Sequence, residues 1–233
     1  MAANEEHTVA LLGEYDHGVR RGWHPDYFSW RLFHALSFLT GGTTFIAGTL
    51  CLFYPNIPGF DFWSAVLYTI GSFGFLFVDV QEFFTFGGFV LRCNISMSML
   101  GSFLYVVGSA GFLPAVAAWN PAVGIWGFIL GSAFIGVSQL WKTHRIGSQG
   151  GSHPFSIRLL LSEADAATAC GVELGAGLGA WCFFFGTSLY NRGPLEGPES
   201  VLYNVLLTWV MGSCLFTFGG LCVAYRHFVM DVV

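Results

Sequence analysis

Five side chains carry most of the chemistry that this sequence offers: His34, Asp79, Glu82, Asn94 and Glu173. Each falls within or at the edge of a long apolar run, where a polar or ionisable group is costly unless it is paired or functional. Glu173 is the sharpest case. If its helix begins near Ser162, where Ser162 and Asp165 resemble a capping box, Glu173 stands about 15 Å into that helix at about 1.5 Å per residue. A carboxyl at that depth is protonatable or ion-coordinating; the plainer alternative is a paired or snorkelling acid near the headgroups. His34 and Asn94 stand fourteen residues before Gly48 and Gly108, and Glu173 is one position from the matching site before Gly186. A polar ring of these three near one mouth is one expectation, and three markers of the headgroup level is the other. Asp79 and Glu82 close the second apolar run, opposite Gln139 and Lys142 in the fourth. The helix dipole disfavours acids at a C-terminus, so a cationic partner, Arg92 or Lys142, is expected.

Other chemistries find little support. His17, His24 and Asp26, or His144 with His153, are the remaining metal-ligand types. None has an i, i+4 partner on a helix, and Pro25 and Pro154 follow two of them, so no metal site is expected. There is no Ser/His/Asp set, phosphate loop, GxGxxG or HExxH, and hence no catalytic residue and no enzyme is expected. The sole lysine, Lys142, ends a helix instead of lying mid-bilayer, which excludes a retinal-type Schiff base. No cofactor is called for; the 25 Phe and 8 Trp leave a pigment or bound lipid as an alternative, with lipid-facing packing as the simpler use of Phe73, Phe75, Phe77 and Phe183–Phe185. The six cysteines form no CxxC or Cys/His spacing and read as small buried hydrophobes.

The elements that must hold these groups follow from composition. Of 233 residues, 54% are hydrophobic and only 10% charged, against about 25% in a soluble domain. Soluble enzymes, nucleic-acid binders and secreted disulfide scaffolds are thereby excluded, and the solvent must be lipid. Crossing the hydrocarbon core takes about 20 apolar residues. Six runs qualify: Arg31–Phe53, Phe62–Phe84, Asn94–Val116, Pro121–Trp141, Ala166–Leu189 and Val201–Arg226. They are apolar all round and do not alternate, which favours helices over barrel strands. Pro55 and Pro58–Gly59, Asn120–Pro121, and Gly193–Pro194 with Gly197–Pro198 break the chain within three short connections. The fold expected is all-α: a polytopic membrane protein of six transmembrane helices in three tandem antiparallel hairpins. Residues 1–30 form a polar N-terminal segment without the pattern of a secretory signal. Hairpins follow at 31–84, 94–142 and 162–230, with a flexible connector at 143–161.

Charge then orients the hairpins. Arg20, Arg21, Arg31, Arg92, Lys142, Arg145, Arg158 and Arg226 fall on the side of the termini, and only Arg192 on the side of the hairpin turns. This bias predicts both termini on the cytoplasmic side. Trp23, Tyr27, Trp30, Tyr54, Trp63 and Trp141 flank the spans as an interfacial belt. The expected partners are membrane lipids and either further copies of the chain or other membrane subunits, with no nucleic acid.

An internal repeat is the most informative pattern. Gly48–Thr49 and Gly71–Ser72 recur as Gly108–Ser109 and Gly131–Ser132, and again as Gly186–Thr187 and Gly212–Ser213. Gly41, Gly101 and Gly179 precede the first pairs by seven residues. Two-helix units inserted in the same sense are parallel repeats about an axis along the membrane normal, so a pseudo-threefold bundle or a fan of three hairpins is expected. Small residues let helices approach closely in lipid, which assigns Gly41, Gly48, Gly71, Gly101, Gly108, Gly131 and Gly212 to packing. Gly171, Gly175 and Gly179, at i+4 spacing on one face, join them. The segments Leu39–Thr49 with Tyr68–Phe77, and Leu100–Gly111 with Gly127–Phe134, resemble the YrhK-like membrane domain family, built on two-helix modules with G-S-x-x-F signatures. The resemblance implies an integral membrane module and assigns no catalytic residue. The function expected from the embedded acids is a small channel or transporter for an ion, proton or small solute. A non-catalytic subunit of a larger membrane complex, or a lipid- or pigment-binding protein, is the alternative.

Overall fold

The computed structural model describes residues 24–232; the readings placed on His17, Arg20, Arg21 and Trp23 lie outside them. Eight α-helices follow in this region: α1 Phe28–Leu52, α2 Phe60–Thr85, α3 Phe89–Gly111, α4 Pro114–Trp119, α5 Ala122–Gly147, α6 Ile157–Leu160, α7 Ala164–Arg192 and α8 Leu202–Phe228. Among the described residues, six of them (α1, α2, α3, α5, α7 and α8) are long and apolar enough to cross a membrane. The chain is a multi-pass integral membrane protein.

The six long helices form a closed ring. Within hairpins α1 packs on α2, α3 on α5 and α7 on α8; between hairpins α2 meets α3, α5 meets α7, and α8 returns to α1. The three hairpins therefore surround a common axis, and the return of α8 to α1 makes the arrangement a closed bundle instead of a fan. Their glycines set how closely the helices approach. A Cβ on Gly101 would lie 2.9 Å from the Gly131 carbonyl oxygen, and one on Gly179 would lie 2.9 Å from that of Gly212. At the equivalent place in the first hairpin, a Cβ on Gly41 would meet the Phe75 ring. These are backbone or ring contacts that only a hydrogen side chain allows.

The hydroxyls that accompany the glycines bond across helices: Ser72 to Ser109 at 2.8 Å, Thr49 to Tyr68 at 2.7 Å and Tyr105 to Ser132 at 2.8 Å. In the third hairpin Trp209 stands where Tyr68 and Phe128 stand in the others. Neither its Nε1 nor Thr187 Oγ1 finds a partner.

Aromatic rings fill the axis on the half nearer the hairpin turns. Phe45, Tyr105 and Phe183 occupy one repeat position in the three hairpins, are fully buried, and pack with ring centroids 5.3 to 6.2 Å apart. Helical periodicity splits the phenylalanine clusters accordingly. Phe75 and Phe183 turn inward, whereas Phe73, Phe77 and Phe185 are exposed on the outer face, so the expectation of lipid-facing packing holds for only part of each cluster.

Several boundaries differ from the sequence reading, each for a local reason. Gly88, at φ +87°, lets the chain reverse from α2 into α3 within three residues. The third span thus starts at Phe89, and Asn94 lies inside the helix instead of at its start. Pro114 opens the separate helix α4 at its first turn, so the third span stops at Gly111. Residues 143–147 continue α5 and are not connector. The connector folds back, with Ser156 N donating to Gly147 O at 3.0 Å and Leu160 packed among Ile146, Ala166 and Ala169. The Ser162–Asp165 capping box does not form: Glu163 precedes the first turn of α7, and Ser162 Oγ donates instead to Leu159 O.

Trp30 is no belt residue. It is fully buried, donates from Nε1 to Thr85 Oγ1 at 3.1 Å, and its carbonyl accepts from Gln81 Nε2 at 2.9 Å. Cys93 and Cys214 are exposed on the outer face instead of buried, while Cys170 is buried.

Candidate functional site

Below the aromatic layer, on the half that holds the helix ends near the termini, the interior turns polar. Asp79 and Glu82 lie six and three residues before the end of α2 at Thr85. Lys142 lies five residues before the end of α5, and Glu173 nine residues into α7. At about 1.5 Å per residue these depths run from about 5 to about 14 Å. Glu173 is thus close to the depth expected of it, although its helix starts at Ala164.

The four groups converge from three helices. Lys142 Nζ donates to Glu82 Oε2 at 2.8 Å and stands 3.9 Å from Glu173 Oε1. Asp79, 5% exposed, accepts from Ser102 Oγ. Gln139 donates from Nε2 to Ser98 Oγ at 3.3 Å, and its Oε1 has no partner. One ammonium therefore serves the Glu82 and Glu173 carboxylates, while Asp79 is held by Ser102 on the same cavity wall. Among the described residues, no three His, Cys, Asp or Glu side chains come together to hold a metal ion.

Three small cavities, of about 30, 60 and 60 Å³, open among these residues, and all three are lined by both Glu82 and Glu173. The first lies between Asp79, Gln139 and Lys142 and is bounded on its inner side by Phe75, Ile135 and Phe216, again one repeat position in three hairpins. A water needs at least about 10 to 15 Å³ by this measure, so this cavity has room for two or three waters. The other two reach outward to Arg145 and Arg226, and to His34 and His227.

His34 is buried beside this cluster, its Nε2 3.5 Å from Glu82 Oε1 and its Nδ1 3.0 Å from His227 Nε2. Trp30 stacks on it at 4.8 Å. Asn94 does not join. It is fully buried, donates from Nδ2 to Ser138 O at 3.0 Å and accepts from Ser138 Oγ, which ties α3 to α5. Of the expected ring of His34, Asn94 and Glu173, only His34 and Glu173 line a common cavity, because Ser138 on α5 takes up the Asn94 amide. Arg92, one of the two partners foreseen for the acids, donates to Phe86 O; Lys142 is the partner that reaches them.

His227, Arg226 and Gln139 complete the site; sequence named Arg226 only as an orienting base and Gln139 only as the residue opposite Asp79, and it did not name His227. Arg226 pairs with Asp165 at 2.7 Å and donates to its carbonyl at 2.8 Å. Arg31 ties the opening of α1 to the far end of the chain, donating to His227 O at 3.3 Å and pairing with Asp231. One signal for this closure was present: Arg31 and the Arg226–His227 pair stand at opposite ends of the spans that close the ring. Of the other ligand types, His24 Nδ1 lies 3.0 Å from Asp26 at the surface, and His144 stacks on Phe155.

Fold and site together define a class: a threefold-repeated membrane bundle with an acid cluster in its interior, on the half that holds the helix ends near the termini. Comparison with family models, curated proteins and solved structures finds no match for this chain.

Proposed function

We propose that the protein is a carrier that moves protons across its membrane by loading and unloading the Asp79, Glu82 and Glu173 carboxyls. The observation that carries this reading is the gathering of three carboxyls, Asp79 buried and Glu82 and Glu173 partly buried, around Lys142 and a cavity of about 30 Å³. Charge of that excess invites a cation, and the volume limits the cargo to a proton or a water-sized ion. The unpartnered Gln139 Oε1 offers a further acceptor on the same wall. The layer of Phe45, Tyr105 and Phe183 leaves no open pore on the other half, which favours a gated carrier over a free channel.

The bias of basic residues supports termini on the cytoplasmic side, so the acid cluster would face that compartment. The absence of a nucleophile–base pair in the sequence supports transport over an intramembrane enzyme. The resemblance of the first two hairpins to YrhK-like modules rests on the Gly–Ser signatures, and the exposed aromatic belt supports lipids and membrane subunits as partners. A groove on the outer face between α1 and α2, lined by Phe33, Leu36, Ile70, Phe73 and Phe77, favours a second reading as a lipid- or pigment-binding subunit. An absorbance band beyond the tryptophan region in the purified protein would support that reading.

The carrier reading is tested by transient currents on a solid-supported membrane. A pH step should displace charge, while sodium and potassium steps at constant pH should not. Currents that follow sodium or potassium and ignore pH would assign another cargo.

A further inference from the structure

The buried pair of His34 and His227 has a hydrogen-bond polarity that can be read from its ends. His227 Nδ1 lies 3.1 Å from Val232 O. A carbonyl oxygen only accepts, so that nitrogen carries the hydrogen. A neutral His227 then presents a bare Nε2, which accepts from His34 Nδ1–H at 3.0 Å. His34 in turn faces Glu82 Oε1 with Nε2 at 3.5 Å and has no other partner there. Two lone pairs opposed in a buried site are unfavourable, so one further proton belongs between His34 and Glu82. The carbonyl at the far end thereby fixes the tautomers of the whole string.

We infer that His34 and His227 form a two-imidazole relay that releases a proton from Glu82 to water at the Asp231–Val232 turn; this rests on the proton-carrier reading. In the loaded state the proton sits on Glu82 Oε1 while Oε2 still accepts from Lys142, and that Oε1–H bond breaks as His34 Nε2–H forms. His34 Nδ1–H breaks as His227 Nε2–H forms, and His227 Nδ1–H passes its proton to water. Both rings end neutral with their tautomers exchanged, and the reverse sequence reloads Glu82. Asp231 is exposed beside the Val232 carbonyl that accepts from the buried His227, so solvent reaches the turn that caps the string. The stacked Trp30 holds the His34 plane, which favours hopping along fixed rings over ring rotation. The charged groups that face the string are Lys142 from α5, Glu173 from α7, Asp79 on the helix of Glu82, Arg226 beside His227, and Arg31 with Asp231 across the outer end.

The relay is read directly by nitrogen NMR of ¹⁵N-histidine-labelled full-length protein in lipid nanodiscs. A through-bond coupling between His34 Nδ1 and His227 Nε2 is expected, lost in His34→Gln. Two rings protonated at Nε2 with no coupling would overturn the relay, and this arm needs no variant to fold. In proteoliposomes, His34→Gln and His227→Phe should each lower proton flux at least tenfold, with the surface variant His144→Gln unchanged. Flux retained in both relay variants sinks the relay and leaves the carrier reading standing. No flux in the unaltered protein sinks the carrier reading, and the NMR coupling then decides the relay alone.

Discussion

Glu82 and Lys142 occupy the same position of two repeats, sixty residues apart, and meet across the interior at 2.8 Å. α2 and α5 are not neighbours in the ring; α3 stands between them. A position that the repeat makes equivalent has thus diverged into opposite charges, and the third copy places the apolar Val223 there. Symmetry brings the three positions to the axis. Divergence makes two of them an ion pair.

That pair should be indispensable in one direction. Replacing Lys142 with Met leaves Glu82 without its ion-pair partner in a largely buried site, and breaking a buried pair costs about 3 to 5 kcal/mol. Thermal unfolding in detergent should show a large loss for Lys142→Met, with at least half recovered in the double variant Lys142→Met/Glu82→Gln. Equal loss in both proteins would mean that the Lys142 stem, and not its charge, holds the site.

The aromatic layer should act as the barrier. Phe183 is fully buried between Phe45 and Tyr105, and removing such a ring costs about 3 to 5 kcal/mol and leaves a cavity. Phe183→Ala is expected to raise passive proton leak through proteoliposomes above that of the unaltered protein. Leak that stays at the unaltered level would place the barrier elsewhere.

Glycine positions should differ by what stands opposite. Gly101→Ala puts a Cβ 2.7 Å from Ile135 Cγ1 and 2.9 Å from the Gly131 carbonyl oxygen. The backbone must give, at about 1 to 3 kcal/mol for overpacking. Gly171→Ala meets only the Cys222 side chain closer than 3.4 Å, with Sγ at 2.9 Å, and a side chain can turn away. Unfolding should therefore rank Gly101→Ala well below Gly171→Ala in stability; the reverse order would contradict the packing account.

Hydroxyls at one repeat position should also differ. Thr49 Oγ1 bonds Tyr68, whereas Thr187 Oγ1 has no partner. A buried hydroxyl without a partner carries a desolvation cost of about 1 to 3 kcal/mol. Thr187→Val should be neutral or stabilising and Thr49→Val destabilising, as read by unfolding midpoints. A destabilised Thr187→Val would reveal a bond that the geometry lacks.

Much of the architecture was legible because lipid imposes it. Runs such as Phe62–Phe84 have no other use at that length and apolarity, and the recurrence of Gly101 and Gly179 marks where helices touch. Three of the candidate acids, Asp79, Glu82 and Glu173, stood out because so few charges exist to choose from. What escaped notice required three-dimensional closure. His227 sits in a last helical turn where basic residues are ordinary, and only the return of α8 to α1 brings it to His34. Trp30 read as an interfacial aromatic because sequence gives depth along a helix but not which face looks inward. Asn94 was misplaced because Gly88 allows a reversal tighter than the apolar run suggests.

The most direct measurement is proton uptake into liposomes holding purified protein, followed with an internal pH-sensitive dye under a potassium diffusion potential set by valinomycin. The unaltered protein should acidify the lumen well above protein-free vesicles, and Glu82→Gln with Glu173→Gln should return the rate to the protein-free level. A rate in the unaltered protein equal to that of empty vesicles, or one that the double carboxyl variant leaves untouched, would contradict the account.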